Sequence, residues 1–245
     1  MLSVLNQNYP NLEYFIMDGG STDGSVELIR KYEPYLAGWV SEKDKGQVDA
    51  INKGFRRATG DLIAFQNSDD IFAPGAFHDV AEAYQKRANA GVYFGNLYII
   101  DEEDRILEEL RQVPFCAECQ VYEGMQIFNQ SFFFRRDLLD QYGYFDEQYH
   151  FAFDYEIATR LGLKSDVRCE LVEDFWGAFR IQEQAKSSNI AHVGLAEHAA
   201  IKERYRSQVN TVLPEKFWRT YCRLRKAGHF LLRGEFNYIG HRLKR

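Results

Sequence analysis

Cysteine is scarce in this chain, four in 245 residues. That is too few for a disulfide scaffold and fits a reducing compartment. Cys116 and Cys119 form a C-x-x-C, but no second pair follows, and Cys169 and Cys222 stand isolated. A zinc site needs four good ligands, so the spacing argues against one. The six histidines (His78, His150, His192, His198, His229, His241) show no ligand spacing. No apolar run approaches the roughly 20 residues of a membrane-spanning helix. The opening stretch, MLSVLNQNYPNLEYF, has no basic patch followed by an apolar segment, so it does not read as a secretory signal. Repeats and low-complexity linkers are absent as well.

What is present is globular. Hydrophobic residues make up 45% and charged residues 27%, which excludes disorder, collagen and coiled coil. A chain of this length hides roughly three quarters of its unfolded surface, enough for one large body with an appendage. Aromatics reach 15%, which suits a large core or sugar-stacking surfaces alike.

Charge is unevenly spread. Between Pro214 and Arg245 there are nine basic residues: Lys216, Arg219, Arg223, Arg225, Lys226, Arg233, Arg242, Lys244 and Arg245. Only Glu215 and Glu235 oppose them, a surplus of seven against a whole-chain net charge of −6, so the rest carries −13. The pattern predicts an acidic body and a basic tail that meets something anionic. Phe217, Trp218, Tyr221, Leu224, Phe230, Leu231 and Leu232 make the tail an amphipathic helix. It either lies on an anionic membrane surface or packs on the body with a basic outer face. Nucleic acid is disfavoured by the acidic body and the lack of a recognisable module.

The first half alternates strands and helices. Leu12 to Met17 is an apolar run ending at Asp18, with helix caps offered by Ser21, Thr22 and Asp23. Val26, Ile29 and Tyr32 follow at helical spacing, then a strand at Gly38–Ser41. Val48, Ile51, Phe55 and Ala58 form a second helical stripe, and Leu62 to Phe65 another strand. This β-α-β-α-β rhythm predicts an α/β fold. Further on, strands are expected at Val92–Ile100, Ile106–Val113 and Cys169–Arg180, and helices at Arg136–Tyr142 and Asp154–Leu163.

Two strands end in acid, the first at Asp18 and the second at Asp69-Asp70. Ligands of open α/β sheets bind beyond the carboxyl ends of strands. Carboxylates there can hold a hard divalent cation through oxygen, and a cation can stabilise a departing diphosphate. Each segment alone is equally a turn with a helix cap. Between them, the run 41–47 leads into a helix on which Asp49 and Asn52 share a face.

In order and spacing, DGGSTDGS, SEKDKGQVDAINKGF and ATGDLIAFQNSDD resemble the nucleotide-sugar half of glycosyltransferase family 2, inverting enzymes of GT-A fold. Asn129–Arg136 and Gly143–Glu147 resemble the family's acceptor-side segment, and Phe153–Ile157 the segment with the catalytic base. The resemblance covers about residues 3–188. It implies a GT-A-like mixed sheet flanked by helices, in a domain spanning 1–213 with the basic tail at 214–245. The nucleotide-sugar half would span about 1–100 and the acceptor half 101–213.

The resemblance implies roles for single residues. Asp18 and Gly20 would meet the nucleotide, with a uracil base at Asp18, and Asp49 would help hold it. Asp69 stands where the family's metal-binding aspartate stands, for Mn2+ or Mg2+, with Asn67 replacing the first aspartate of that motif. Asp70 would lie beside metal and donor sugar, and Asp154 would be the general base. Phe179 to Ser187 resembles a closing segment in which many relatives carry histidine where Gln182 stands; Arg180 and Lys186 could meet phosphate. The implied reaction is metal-dependent, inverting transfer of a hexosyl-type sugar from a nucleotide diphosphate to a hydroxyl of a glycan or lipid-linked saccharide. Envelope or capsule polysaccharide assembly would be its setting, in the cytoplasm with peripheral attachment to the inner membrane face. Relatives begin with a further strand, whereas Met1 already sits inside the helix after it. The first strand is therefore expected to be missing, and a remnant serving as a binding module is the competing reading. A nucleotidyltransferase would want a glycine-rich phosphate loop, which is not seen.

Overall fold

The computed structural model describes residues 1–182, 191–210 and 212–243, with side chains to residue 240. Lys186, Lys244, Arg245 and the Arg242 side chain lie outside the described residues.

The strands divide into two sheets. β1 (Phe15–Asp18) and β2 (Gly38–Ser41) form a parallel ribbon, with Asp18 opposite Ser41. The larger sheet runs β3 (Leu62–Ile63), β7 (Phe132–Arg135), β5 (Val92–Ile100), β8 (Cys169–Arg180), β4 (Ile71–Phe72), and β6 (Ile106–Leu110) pairs with the far end of β5. β5 and β8 are parallel and the other pairs antiparallel, so the sheet is mixed as expected.

β5 is central because its sequence, VYFGNLYII, is apolar on both faces, as a strand covered from both sides requires. Side chains alternate between two cores. Val92, Phe94, Phe132 and Phe134 face one, with α7 (Phe153–Gly162) and α8 (Ala191–Tyr205) supplying Ile157, Leu161, Ile201 and Tyr205. Tyr93, Phe133 and Trp176 face the other, with α4 (Ala76–Lys86) and α1 (Leu2–Leu5) behind them. A turn at Asn129–Ser131 lies hard against β8. A Cβ on Gly177 would come within 1.9 Å of the Gln130 carbonyl oxygen.

Among the described residues the ribbon forms no ladder with the large sheet. Among the described residues, β1 pairs only with β2, and β3 only with β7. Between them lies a cleft of about 1440 Å³, walled by Phe15, Ile16 and Met17 on one side and Leu62, Ile63 and Ala64 on the other. α2 (Ser25–Tyr32) and α3 (Gln47–Phe55) complete the ribbon's half.

The chain's end is attached rather than free. α9 (Glu215–Leu232) packs on α5 (Ala117–Tyr122), and α10 (Phe236–Leu243) folds back on α9. Trp218 stacks on Tyr122, and Lys226 pairs with Glu123 at 3.1 Å. Cys222 and Cys119 form a disulfide across this contact. This corrects the expectation that Cys222 is isolated. The two helices meet face to face, but the cysteines are 103 residues apart, a separation that leaves no trace in local spacing. Cys116 and Cys169 are the free cysteines.

Candidate active site

Asp18 closes β1 and organises the loop behind it. Its carboxylate accepts the Gly20 N–H at 3.1 Å, the Ser21 N–H at 3.0 Å, the Ser21 hydroxyl, and the Ser41 hydroxyl from the end of β2 at 2.6 Å. These bonds, the Ser21 and Ser41 hydroxyls first, bring its pKa down to about 2. Gly20 turns the loop in the left-handed region at φ 87°, which glycine adopts without strain.

The second acidic turn is built differently. Asp70 is buried and accepts three donors: Gln130 Nε2 at 2.7 Å, Asn67 Nδ2 at 3.1 Å and the Arg180 N–H at 2.9 Å. Burial nevertheless dominates and raises its pKa. Asn67 Oδ1 in turn accepts Gln47 Nε2 at 2.7 Å, which ties the turn to the start of α3. Arg180 fastens the turn from behind, donating to the Asp69 carbonyl at 2.8 Å and the Asp101 carbonyl at 2.7 Å, with Asp104 as its ion pair. Asp69 is left facing the cleft. Gln182 Nε2 donates to its Oδ2 at 2.9 Å.

Asp154 is the second residue of α7, where the helix N-terminus favours an anion. Its Oδ1 accepts the Tyr155 N–H at 2.8 Å. The turn before it is clamped from α8, since Glu197 accepts the N–H groups of His150, Phe151 and Ala152, each at 2.8 Å. Deeper in α7, buried Glu156 pairs with Arg160, which also donates to the carbonyls of Tyr142, Gly143 and Tyr144. The helix that presents Asp154 is therefore fixed at both turns.

Asp18, Asn67, Asp69, Asp70 and Asp154 all line the one cleft, although they come from three separate segments. Gly20, Asp49 and Arg180 are not on its wall. Asp49 accepts the Lys45 N–H and pairs with Lys53 at 3.1 Å, in that order the causes that lower its pKa. Two wall residues were not foreseen as contacts. Both polar atoms of Gln66 and Nδ2 of Asn129 are buried there without a hydrogen-bond partner among the described residues. An amide at the end of an apolar strand run is the signal that could have flagged Gln66. Among the described residues, no group of three or more His, Cys, Asp or Glu is placed to hold a metal.

The family model for glycosyl transferase family 2 matches residues 1–157. The chain belongs to that family. An uncharacterized glycosyltransferase of Mycobacterium tuberculosis is 32% identical over 180 residues, 70% of this chain and 66% of the relative. This family 2 chain thus spans just under two thirds of that relative's length. Among solved structures, S. aureus TarS superposes with a TM-score of 0.62 at 18% identity, over 93% of this chain and 40% of TarS. The mannosyltransferase PcManGT of Pyrobaculum calidifontis, solved with GDP-Man and Mn2+, gives 0.59 at 20% identity, over 87% and 60%. At these identities the likeness is one of fold, and it establishes the GT-A-like mixed sheet flanked by helices.

Proposed function

We propose that this chain transfers a sugar, with inversion, from a nucleotide diphosphate donor to a hydroxyl of a glycan or lipid-linked saccharide. The carrying observation is the convergence of Asp18, Asn67, Asp69, Asp70 and Asp154 on one cleft. The loop ordered by Asp18 faces the nucleotide, uracil being the base this reading favours. Gly20 and Asp49 shape that loop and the start of α3 rather than touching the ligand. Arg180 acts through the Asp69-Asp70 turn, which it holds in place. Asp154 accepts the proton of the attacking hydroxyl as the new bond forms. Attack from the side opposite the diphosphate inverts the anomeric centre in one displacement.

A divalent cation, Mn2+ or Mg2+, fits this donor set in one way. Asp70 is buried and accepts three protein donors and Asn67 Oδ1 accepts Gln47, whereas Asp69 faces the cleft with one donor on its Oδ2, which makes it the carboxylate to offer. Such cations are commonly held by one or two carboxylates plus substrate phosphates and water. When bound, the cation would offset charge gathering on the diphosphate.

A second reading is favoured by the open slot between β1 and β3. Among the described residues its two facing edges lack strand partners, and its walls are apolar. We propose that one more strand of the same polypeptide, upstream of residue 1, fills it. Without that strand the pocket is half built and the chain acts as a binding module.

Calorimetric titration with UDP, GDP and TDP, with and without manganese, tests both readings. Metal-dependent binding of one nucleotide, lost in Asp69→Ala and kept in Asp154→Asn while transfer is abolished, supports the enzyme. A folded chain that binds none of them supports the module. Adding upstream sequence should raise Tm, and an unchanged Tm would reject the slot.

A further inference from the structure

α9 carries apolar residues on two opposite faces. The inner face is accounted for by Trp218, Cys222 and Phe230, which meet Tyr122, Cys119 and Tyr238. The outer face is not. Phe217, Tyr221, Leu224 and Leu231 recur at steps of four, three and seven residues, which sets them within about a quarter of the helix circumference. Their exposures are 45, 41, 67 and 49%. Leu232, at 92%, widens the stripe. The helix cannot roll to hide these residues. Its inner face is held by the disulfide, by the Lys226–Glu123 pair and by Arg225, which donates to the Pro114 carbonyl at 2.6 Å.

Charge selects what covers this stripe. Lys216 and Arg223 flank one side of it, both exposed and without an ion-pair partner among the described residues. The segment from Pro214 onward has a surplus of seven positive charges, while the rest of the chain carries −13. A negatively charged surface would attract this end and repel the body, which gives a single approach orientation. A second copy of the chain meeting stripe to stripe would set two basic segments against each other, which opposes a symmetric dimer. None of the described helices is long and apolar enough to cross a membrane. A helix with an apolar stripe and basic flanks lies in the plane of the interface instead.

We propose that the outer face of α9 docks on an anionic phospholipid bilayer. Phe217, Tyr221, Leu224 and Leu231 enter the boundary between headgroups and acyl chains, and Lys216 and Arg223 meet lipid phosphates. The inference stands on the surface of α9 alone and does not depend on sugar transfer.

Flotation of the whole chain with vesicles decides it. On phosphatidylcholine mixed with phosphatidylglycerol, binding should exceed that on phosphatidylcholine alone by about tenfold. Raising salt from about 0.1 M to about 0.5 M should remove most of that difference, because screening shortens the reach of the basic flank. Leu224→Glu should cut binding severalfold with an unchanged circular dichroism spectrum. Lys216→Glu with Arg223→Glu should cut it on anionic vesicles while leaving the stripe intact. Equal binding to both vesicle types, or none, would overturn the proposal. So would a parent chain that ignores vesicles but forms dimers abolished by Leu224→Glu, since the stripe would then be an interface between copies.

Discussion

The two sheets of this protein hold aromatic and aliphatic strands of similar kind and treat them unequally. Along β5, Val92, Tyr93, Phe94 and Leu97 are wholly buried. Along β1, none of the four residues is more than partly buried, although Phe15-Ile16-Met17 is just as apolar. The difference is neighbours. β5 is paired on both edges and covered on both faces, while β1 has one partner among the described residues and looks into the cleft. Burial in a sheet is a property of the pairing, and the same composition gives a core in one place and a wall in the other.

Substitutions can break or sharpen this contrast. The largest effect is expected from Gly177→Ala, whose new Cβ would overlap the Gln130 carbonyl at 1.9 Å. Backbone must move in the finished sheet, at a cost of more than about 4 kcal/mol, and loss of soluble folded protein is the readout. Next, Phe94→Ala should cost about 3–5 kcal/mol by denaturant titration. Ile16→Ala in β1 should cost only about 1 kcal/mol, since its side chain already faces open space. If upstream sequence fills the slot, the Ile16 cost should climb toward that of Phe94.

The two strand-end aspartates sharpen the comparison through pH. Asp18, partly buried at the end of the ribbon, has its pKa lowered from 3.8 to about 2 by hydroxyl donors. Its contribution to stability is present above the unfolded value and is lost as pH falls toward about 2. Asp70 has its pKa raised by burial, so its sign is opposite. Its contribution is present below the unfolded value and is lost as pH rises through the folded one. Unfolding free energies of the parent relative to Asp18→Asn should thus fall at acid pH. Relative to Asp70→Asn they should fall as pH climbs above the ordinary carboxylate range. The smallest effect belongs to Gly38→Ala in β2. Its Cβ would meet the edge of the Phe15 ring at 3.3 Å, which can give, so the change in stability should stay within about 1 kcal/mol.

Much of this was legible in the residues. β2, β5 and β8 fall where their runs begin and end. β3 is confined to Leu62–Ile63, because among the described residues Ala64 and Phe65 have no strand beside them to complete a ladder. β4, α4, α5 and α8 were not foreseen. β4 is two residues long, and the inward positions of α4 include Ala76 and Ala83, small side chains that barely register as a stripe. α8 mixes alanine, glycine and histidine through its first two turns and has no apolar period to read. At the site, the acidic strand ends announced Asp18, Asp69 and Asp70. Their fasteners, Gln130 and Gln182, come from segments 60 and 113 residues downstream of the aspartates they hold, and only the folded sheet joins them.

The link between Cys119 and Cys222 also makes the attachment of the chain's end countable. With α9 stapled, two of the four sulfurs should react with a thiol reagent in unfolded but unreduced protein. After reduction all four should react. Purified material can therefore be sorted by stoichiometry into molecules whose last helices are tethered covalently and molecules in which they rest on packing alone. Preparations made with and without reductant are then different starting materials for every comparison between them.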